Sequence, residues 1–248
     1  MCGRCPVTDV RQEMVYGRRT YVVSDDLGEQ RLPSVTTVLR CWPAPELSGW
    51  RERQIAAAWK NGPFPEGKTV GEAAAAAIPT LPADRGRAAH KAVEWSYAGK
   101  ELPDQWVDVA AAVRRVVDPA VDVRLTEAVL LGDGWAGTAD MLGRRPDGRP
   151  CVLDLKTGKK VWDTHWAQVY AYSTAVEVLV DGRRARMPDG TVAGIVLAPV
   201  SGSMSAPRLG GEPEILWLED GAYARRMWEL SLQVHLLRKE MAECSTSG

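Results

Sequence analysis

No apolar run in the 248-residue chain approaches the roughly 20 residues that cross a bilayer as a helix. The N-terminal stretch, with Arg4, Asp9 and Arg11, lacks the apolar segment of a signal peptide. Both absences predict a cytoplasmic protein with no membrane partner. Positive charge is not in excess either: 31 Lys and Arg against 32 Asp and Glu leave a net charge of −1. No global field therefore announces a nucleic-acid partner, and any such contact must use local basic patches. Cysteine is scarce and odd in number, at five, which argues against a disulfide framework in such a compartment. Cys2 and Cys5 form a CxxC, but a closed zinc or iron–sulfur site needs further ligands. Cys41, Cys151 and Cys244 are scattered singly, so ordinary reduced thiols are the reading.

What is present is ordinary for a folded domain: 45% hydrophobic and 25% charged residues, enough to build a real core. No compositional break divides the chain, and the expectation is one domain over 1–248. It has a ribbon and helical part in 1–120, a core in 84–200, and a C-terminal strand and helix in 212–242. Met14 to Ser24 reads as a β-ribbon broken at Gly17, and Ser34 to Leu39 as a short run entering a Trp/Pro-rich loop. The spacing of Leu47, Trp50, Ile55 and Trp59 predicts a helix with one aromatic face turned to the core. The alanine-rich stretch Gly71 to Ile78 is either helix or a mobile insertion.

Asp84 is placed as the N-cap of a helix running to Ala98, and a second helix spans Asp104 to Val117. The period then changes from about 3.6 to 2. Val121 to Leu131, Trp135 to Gly143 and Cys151 to Thr157 alternate as an antiparallel meander, separated by Gly-Asp-Gly and Pro-Asp-Gly turns. A helix from Asp163 to Val180 follows, then strands Val192 to Pro199 and Glu214 to Leu218, and a last helix from Ala222 to Met241. Ser201 to Gly211 reads as a loop. The fold class is mixed α/β (α+β), with helices flanking a central mixed sheet.

In Cys151 to Thr157 the strand period separates Leu153 and Leu155 from Asp154 and Lys156. Charged residues are disfavoured in a central strand, so Asp154 and Lys156 form either a mutual ion pair or a site. The preceding Pro146-Asp147-Gly148 fits a three-residue loop with Gly148 in the left-handed conformation. Pairing Arg145 with Arg149 across it carries Asp140 opposite Asp154, on the same face. If Asp133-Gly134 is a two-residue turn, Glu127 falls opposite Asp140. Facing carboxylates repel unless a cation lies between them, and Mg²⁺ or Mn²⁺ would relieve that repulsion. Glu127 is then a direct ligand or a group behind the ligands, although a structural bond to a nearby helix would satisfy it equally.

Gly137-Thr138-Ala139-Asp140, Asp154-Leu155-Lys156-Thr157-Gly158 and Gln168-Val169-Tyr170-Ala171-Tyr172 resemble the GxxD, DxK and QxxxY series of RecB-like nucleases of the PD-(D/E)XK superfamily. Upstream, Arg85-Gly86-Arg87-Ala88-Ala89-His90 is similar to the helical His motif of the same group, which includes CRISPR-associated (Cas-four-type) and phage recombination exonucleases. The resemblance spans Asp84 to Thr174, and Ser34 to Leu39 is similar to a stretch common in the phage members.

The resemblance implies a restriction-endonuclease-like core and a Mg- or Mn-dependent DNA exonuclease, in the host cytoplasm if the chain is phage-encoded. It implies that His90, Asp140, Asp154 and the Leu155 carbonyl hold the metal, while Lys156 polarises the attacking water or stabilises the phosphorane. Glu94, one turn beyond His90, would bind through water or merely pair with Lys91 or Arg87. Gln168 and Tyr172 share a helix face directed at the substrate, with Thr157, Lys159, Lys160 and Arg87 as further DNA contacts, and Arg85 and Lys91 adding charge. His165 and His235 are read as structural or exposed. The implied partners are DNA ends, single- or double-stranded, and a recombination or replication protein. With Cys244 alone near the C-terminus, the cysteines argue against an iron–sulfur cluster and favour the phage or RecB-like branch. Competing readings are a non-catalytic DNA-end-binding module and a restriction-type endonuclease.

Overall fold

The computed structural model describes residues 7–15, 17–25, 28–43, 45–61, 69, 72 and 81–246. The N-terminal part comprises β1 (Val7–Val15), β2 (Arg18–Asp25), β3 (Gly28–Pro33), α1 (Val35–Val38) continued by a 3-10 turn (Leu39–Cys41), and α2 (Pro45–Asn61). Two helices follow, α3 (Leu81–Tyr97) and α4 (Asp104–Val117), then the meander β4 (Asp122–Gly132), β5 (Trp135–Arg144) and β6 (Pro150–Lys156). The rest is α5 (Asp163–Ser173), β7 (Glu177–Val180), β8 (Arg183–Arg186), β9 (Val192–Leu197), β10 (Val200–Gly202), β11 (Pro207–Leu209), β12 (Glu214–Trp217) and α6 (Ala222–Thr246). Cys2 and Cys5 lie outside the described residues, as do the stretch from Gly71 to Ile78 apart from Glu72 and the side chains of Leu47, Trp50 and Trp59. No helix among the described residues is long and apolar enough to cross a membrane.

Seven strands form one mixed sheet in the order β12-β9-β6-β5-β4-β7-β8. Only β6 and β9 run parallel, as a crossover through α5 requires; the other neighbours are antiparallel. One face is covered by α5 and α6, through a core that includes Leu130, Val152, Ile195, Tyr172 and Trp228. There Trp135 meets Trp228 edge-to-face at 5.4 Å. The opposite face is shared. Val93 of α3 with Val113 and Val117 of α4 packs on Met141, Leu153 and Leu155, while the separate ribbon β1-β2-β3 packs Tyr21, Val23 and Leu32 on Leu131 and Ala136.

The meander was predicted nearly to the residue, and its Pro-Asp-Gly loop has the expected form. Arg145 N–H donates to Arg149 O, Gly148 N–H to Arg145 O, and Gly148 has φ +83°. Other elements differ. The helix expected to reach Val180 ends at Ser173, because Val176 N–H bonds Leu131 O and Glu177–Val180 pairs with the β4 edge. Strand pairing there overrides the helical period. Asp84 lies in the first turn of α3 rather than at its cap and pairs with Arg87. The expected loop Ser201 to Gly211 contains the β10-β11 hairpin. Ser34 caps α1 by accepting from Thr37 N–H at 3.0 Å.

Candidate metal centre and cleft

Side chains on an unbroken strand alternate between faces, so two residues five apart point opposite ways. On β5, Gly137 packs against Tyr172 and Leu142 belongs to the same α5-side core, although they are five apart. On β4, Leu125 and Leu130 show the same contradiction. Each strand therefore slips by one residue. The two slips occur at one level, because Ala128 pairs with Ala139 and Thr126 with Met141, leaving Glu127 and Asp140 between them. Glu127 adopts φ +50°, in the left-handed region. That conformation costs a residue other than glycine on the order of 1 kcal/mol, and such outliers concentrate at functional sites.

The β5-β6 ladder ends where the slip begins. Its last pair is Met141 with Leu153, in the register expected from the loop. Beyond it, Leu155 N–H donates to Asp140 Oδ2 at 2.5 Å, so a carboxylate side chain meets the next strand. Asp140 Oδ1 lies 2.9 Å from His90 Nδ1 on α3. Asp154 is held from the other side of the sheet: Gln168 Nε2 on α5 donates to its Oδ1 at 3.1 Å, and Lys156 Nζ lies 2.5 Å from its Oδ2. The register expectation holds, but the expected common face does not. Asp140 is reached from the α3 side and Asp154 from the α5 side, and the strand slip at Asp140 is the cause.

Gln168 is the hub of the buried half of this group. Besides Asp154, its Nε2 donates to Tyr172 Oη at 2.9 Å, and its Oε1 accepts from Lys156 Nζ at 2.9 Å. With Gln168 and Tyr172 only 7% and 3% exposed, the amide and the phenol chiefly fix Asp154 and Lys156 rather than reach outward. The first glycine of the GxxD motif acquires a steric reason here, since a Cβ at Gly137 would stand 2.6 Å from the Tyr172 ring. Gly86, likewise, lets α3 approach Thr157 Oγ1, which would lie 3.1 Å from an added Cβ.

Proton affinities record the crowding. Burial pushes the Asp154 carboxyl up; Lys156 opposes the rise and Asp140 adds to it, and the net direction is upward. Asp140 is buried as well, but His90, the Leu155 N–H and Lys156 together hold it below the usual range. His90 is raised because Asp140 outweighs the burial that would lower it. Glu127 is pushed up to about 7 by loss of solvation and by the Asp140 and Glu94 carboxylates.

His90, Glu127 and Asp140 each offer a ligand atom, all within 4.8 Å of one another. Asp154 stands outside this trio, and its buried Oδ2 faces the Lys156 ammonium. One imidazole and several carboxylate oxygens, without thiolate, fit a hard divalent ion. The group lies in a cleft of about 740 Å³, which Glu94, Arg87, Lys91, Gln168 and Tyr172 also line.

The remaining expected contacts are distributed unevenly. Lys91 pairs with Glu94 at 2.7 Å. Arg85 donates to Val200 O and Gly202 O and so ties α3 to β10. Thr157, Lys159 and Lys160 do not line the cleft; the Lys160 ammonium lies over the Trp162 ring at 3.6 Å. His165 is structural: its Nδ1 accepts Trp162 N–H at the start of α5. His235 is half-buried on α6 and lies outside the cleft. Sequence reasoning missed the opposite wall, where Arg19, Tyr21, Ser34 and Thr36 come from β2 and the start of α1. No spacing signal links that ribbon to β5; the packing of Tyr21, Val23 and Leu32 on the sheet and the bridge from Ser34 to Ala136 bring it there. No model of a known protein family matches the chain, and no curated protein matches it either.

Proposed function

We propose that this chain is a divalent-metal-dependent phosphodiesterase that cuts DNA, an exonuclease of the RecB-like kind working at DNA ends in recombination or repair. The observation that carries this reading is the meeting of His90, Glu127, Asp140, Asp154 and Lys156 around the end of one strand ladder, inside an open cleft. Two carboxyls with raised proton affinity, Glu127 and Asp154, mark a site short of positive charge, which Mg²⁺ or Mn²⁺ would supply.

On this reading His90, Asp140, Asp154 and the Leu155 carbonyl hold the ion, and Glu127 joins them directly or through water. When bound, such an ion lowers the pKa of a water and neutralises charge growing on the phosphate. The chain's own residues supply the rest. Leu155 N–H fixes the Asp140 carboxylate in one orientation. Gln168 aims the Lys156 ammonium and holds the Asp154 carboxylate beside it. Lys156 then presents a fixed cation to the oxygen that gains charge as the phosphorus is attacked, where a preorganised donor is worth most. The two acids and the lysine thus serve one displacement at phosphorus, with water as nucleophile and the 3′ or 5′ oxygen leaving.

End-labelled linear DNA, incubated with the full chain and Mg²⁺ or Mn²⁺, should be shortened progressively from its ends. Lys156→Ala or Asp154→Ala should abolish the shortening without loss of fold. Discrete fragments from circular DNA would indicate a restriction-type endonuclease instead. Intact single- and double-stranded DNA with either metal would end the enzymatic reading, and metal-insensitive binding would then favour an end-binding module.

A further inference from the structure

The cations lining the cleft are not equivalent. Lys156 is paired with Asp154 at 2.5 Å, Lys91 with Glu94 at 2.7 Å, and Arg87 with Asp84. Arg19, on the wall facing α3, lines the same cleft and is exposed. Among the described residues it has no carboxylate partner.

Its backbone is nevertheless fixed. The Arg19 carbonyl accepts both Ser34 N–H at 3.1 Å and Thr37 Oγ1 at 2.9 Å, which locks β2 to the start of α1. Two residues on, Tyr21 is fully buried, and its hydroxyl shares a 2.7 Å hydrogen bond with Thr138 of β5, two residues before Asp140. A guanidinium carried on a backbone held in this way, lining the same cleft as the acids and paired with no carboxylate among the described residues, is available to an anion supplied from outside. Thr36, exposed on the same wall, adds a hydroxyl.

We propose that Arg19 binds a backbone phosphate of the nucleic-acid strand, gripping it from the ribbon wall while α3 borders the other side of the cleft. This rests on the reading of the cleft as a DNA phosphodiesterase site. The class of ligand follows from the chemistry: an arginine takes a phosphodiester through paired N–H donors, and a strand crossing the cleft presents further phosphates beside the one being cut. Arg19 is a binding residue in this scheme and touches no reacting atom.

The test uses full-length chain carrying Lys156→Ala, so that DNA stays intact, and fluorescence anisotropy of a labelled single strand and a labelled duplex. Adding Arg19→Ala should weaken binding about tenfold, the equivalent of ~1.4 kcal/mol. It should also make the plot of log affinity against log salt shallower by about 0.7 to 0.9, the signature of one lost phosphate contact. Arg19→Lys should keep the slope and lose part of the affinity. Because Arg19 is exposed, the melting temperature should not move. Unchanged affinity and slope in Arg19→Ala, with the parent binding DNA, would overturn the role of Arg19 and leave the proposed function standing. A parent that binds neither DNA, and a wild-type chain that cuts neither, would overturn both.

Discussion

Replacing Gln168 by leucine isolates the contribution of one buried amide. The two side chains have similar volume, so cavity formation adds little and the lost hydrogen bonds dominate. Three are lost: to Asp154 at 3.1 Å, to Tyr172 at 2.9 Å and from Lys156 at 2.9 Å. Lys156 can turn to cleft water, so its loss costs little stability. Asp154, only 3% exposed, cannot; its Oδ2 keeps the Lys156 contact, but its Oδ1 loses the Gln168 donor. Leaving such an acceptor unmet costs about 1–3 kcal/mol, and the stranded Tyr172 hydroxyl adds about 1. The expected loss is about 2–4 kcal/mol by urea denaturation, or a melting point lower by roughly 5–15 °C for a chain of this size. On the proposed function, turnover should fall about 10- to 100-fold with little change in KM, since Lys156 is no longer aimed. Gln168→Glu should be worse in stability, because it sets a third carboxylate against Asp154. A leucine variant within about 0.5 kcal/mol of wild type would refute the claim that Gln168 holds the acid in place.

Gly137→Ala should cost about 1–3 kcal/mol through overpacking against Tyr172; Tyr172→Leu in the same chain should recover part of that, and strictly additive losses would disprove the contact. Mn²⁺ at 100 times its Kd should stabilise the protein by about 2.7 kcal/mol, reversibly with a chelator and not in Asp140→Asn; a melting curve indifferent to metal would refute the ligand group. Burial and the Lys156 charge hold His165 down at about 3, from the usual 6.5, and protonating Nδ1 would break its bond from Trp162. The unfolded chain therefore binds the extra proton between those values, so this share of stability is complete above pH 6.5 and fades as pH falls toward 3. In His165→Asn the loss of stability on acidification should be smaller, by on the order of 1 kcal/mol for a partly exposed group; parallel pH profiles would refute it.

Much of the site was legible because β-hairpin loops count residues. Pro146-Asp147-Gly148 and Asp133-Gly134 set two registers, and those registers bring Asp140 level with Asp154 and with Glu127. The same rule, applied to Asp181-Gly182, would have revealed β7 and β8, since both residues have positive φ, 50° and 71°. The helical period continuing past Ser173 masks that Asp-Gly signal. Counting could not disclose the joint slip of β4 and β5, because the pairing sum stays constant through it and only the side-chain faces change.

The amino-acid order by itself determined the meander, the turn lengths and the placing of acids and lysine near one strand end, since each follows from periods and loops within some 30 residues. Tertiary structure decided the rest. It buried Gln168 and Tyr172 beneath the acids, drew His90 onto Asp140 from another helix, turned Glu127 into a strained conformation, and swung the ribbon with Arg19 over the cleft. These are contacts between segments far apart in the chain, selected by which apolar faces can pack together, and no local pattern encodes them.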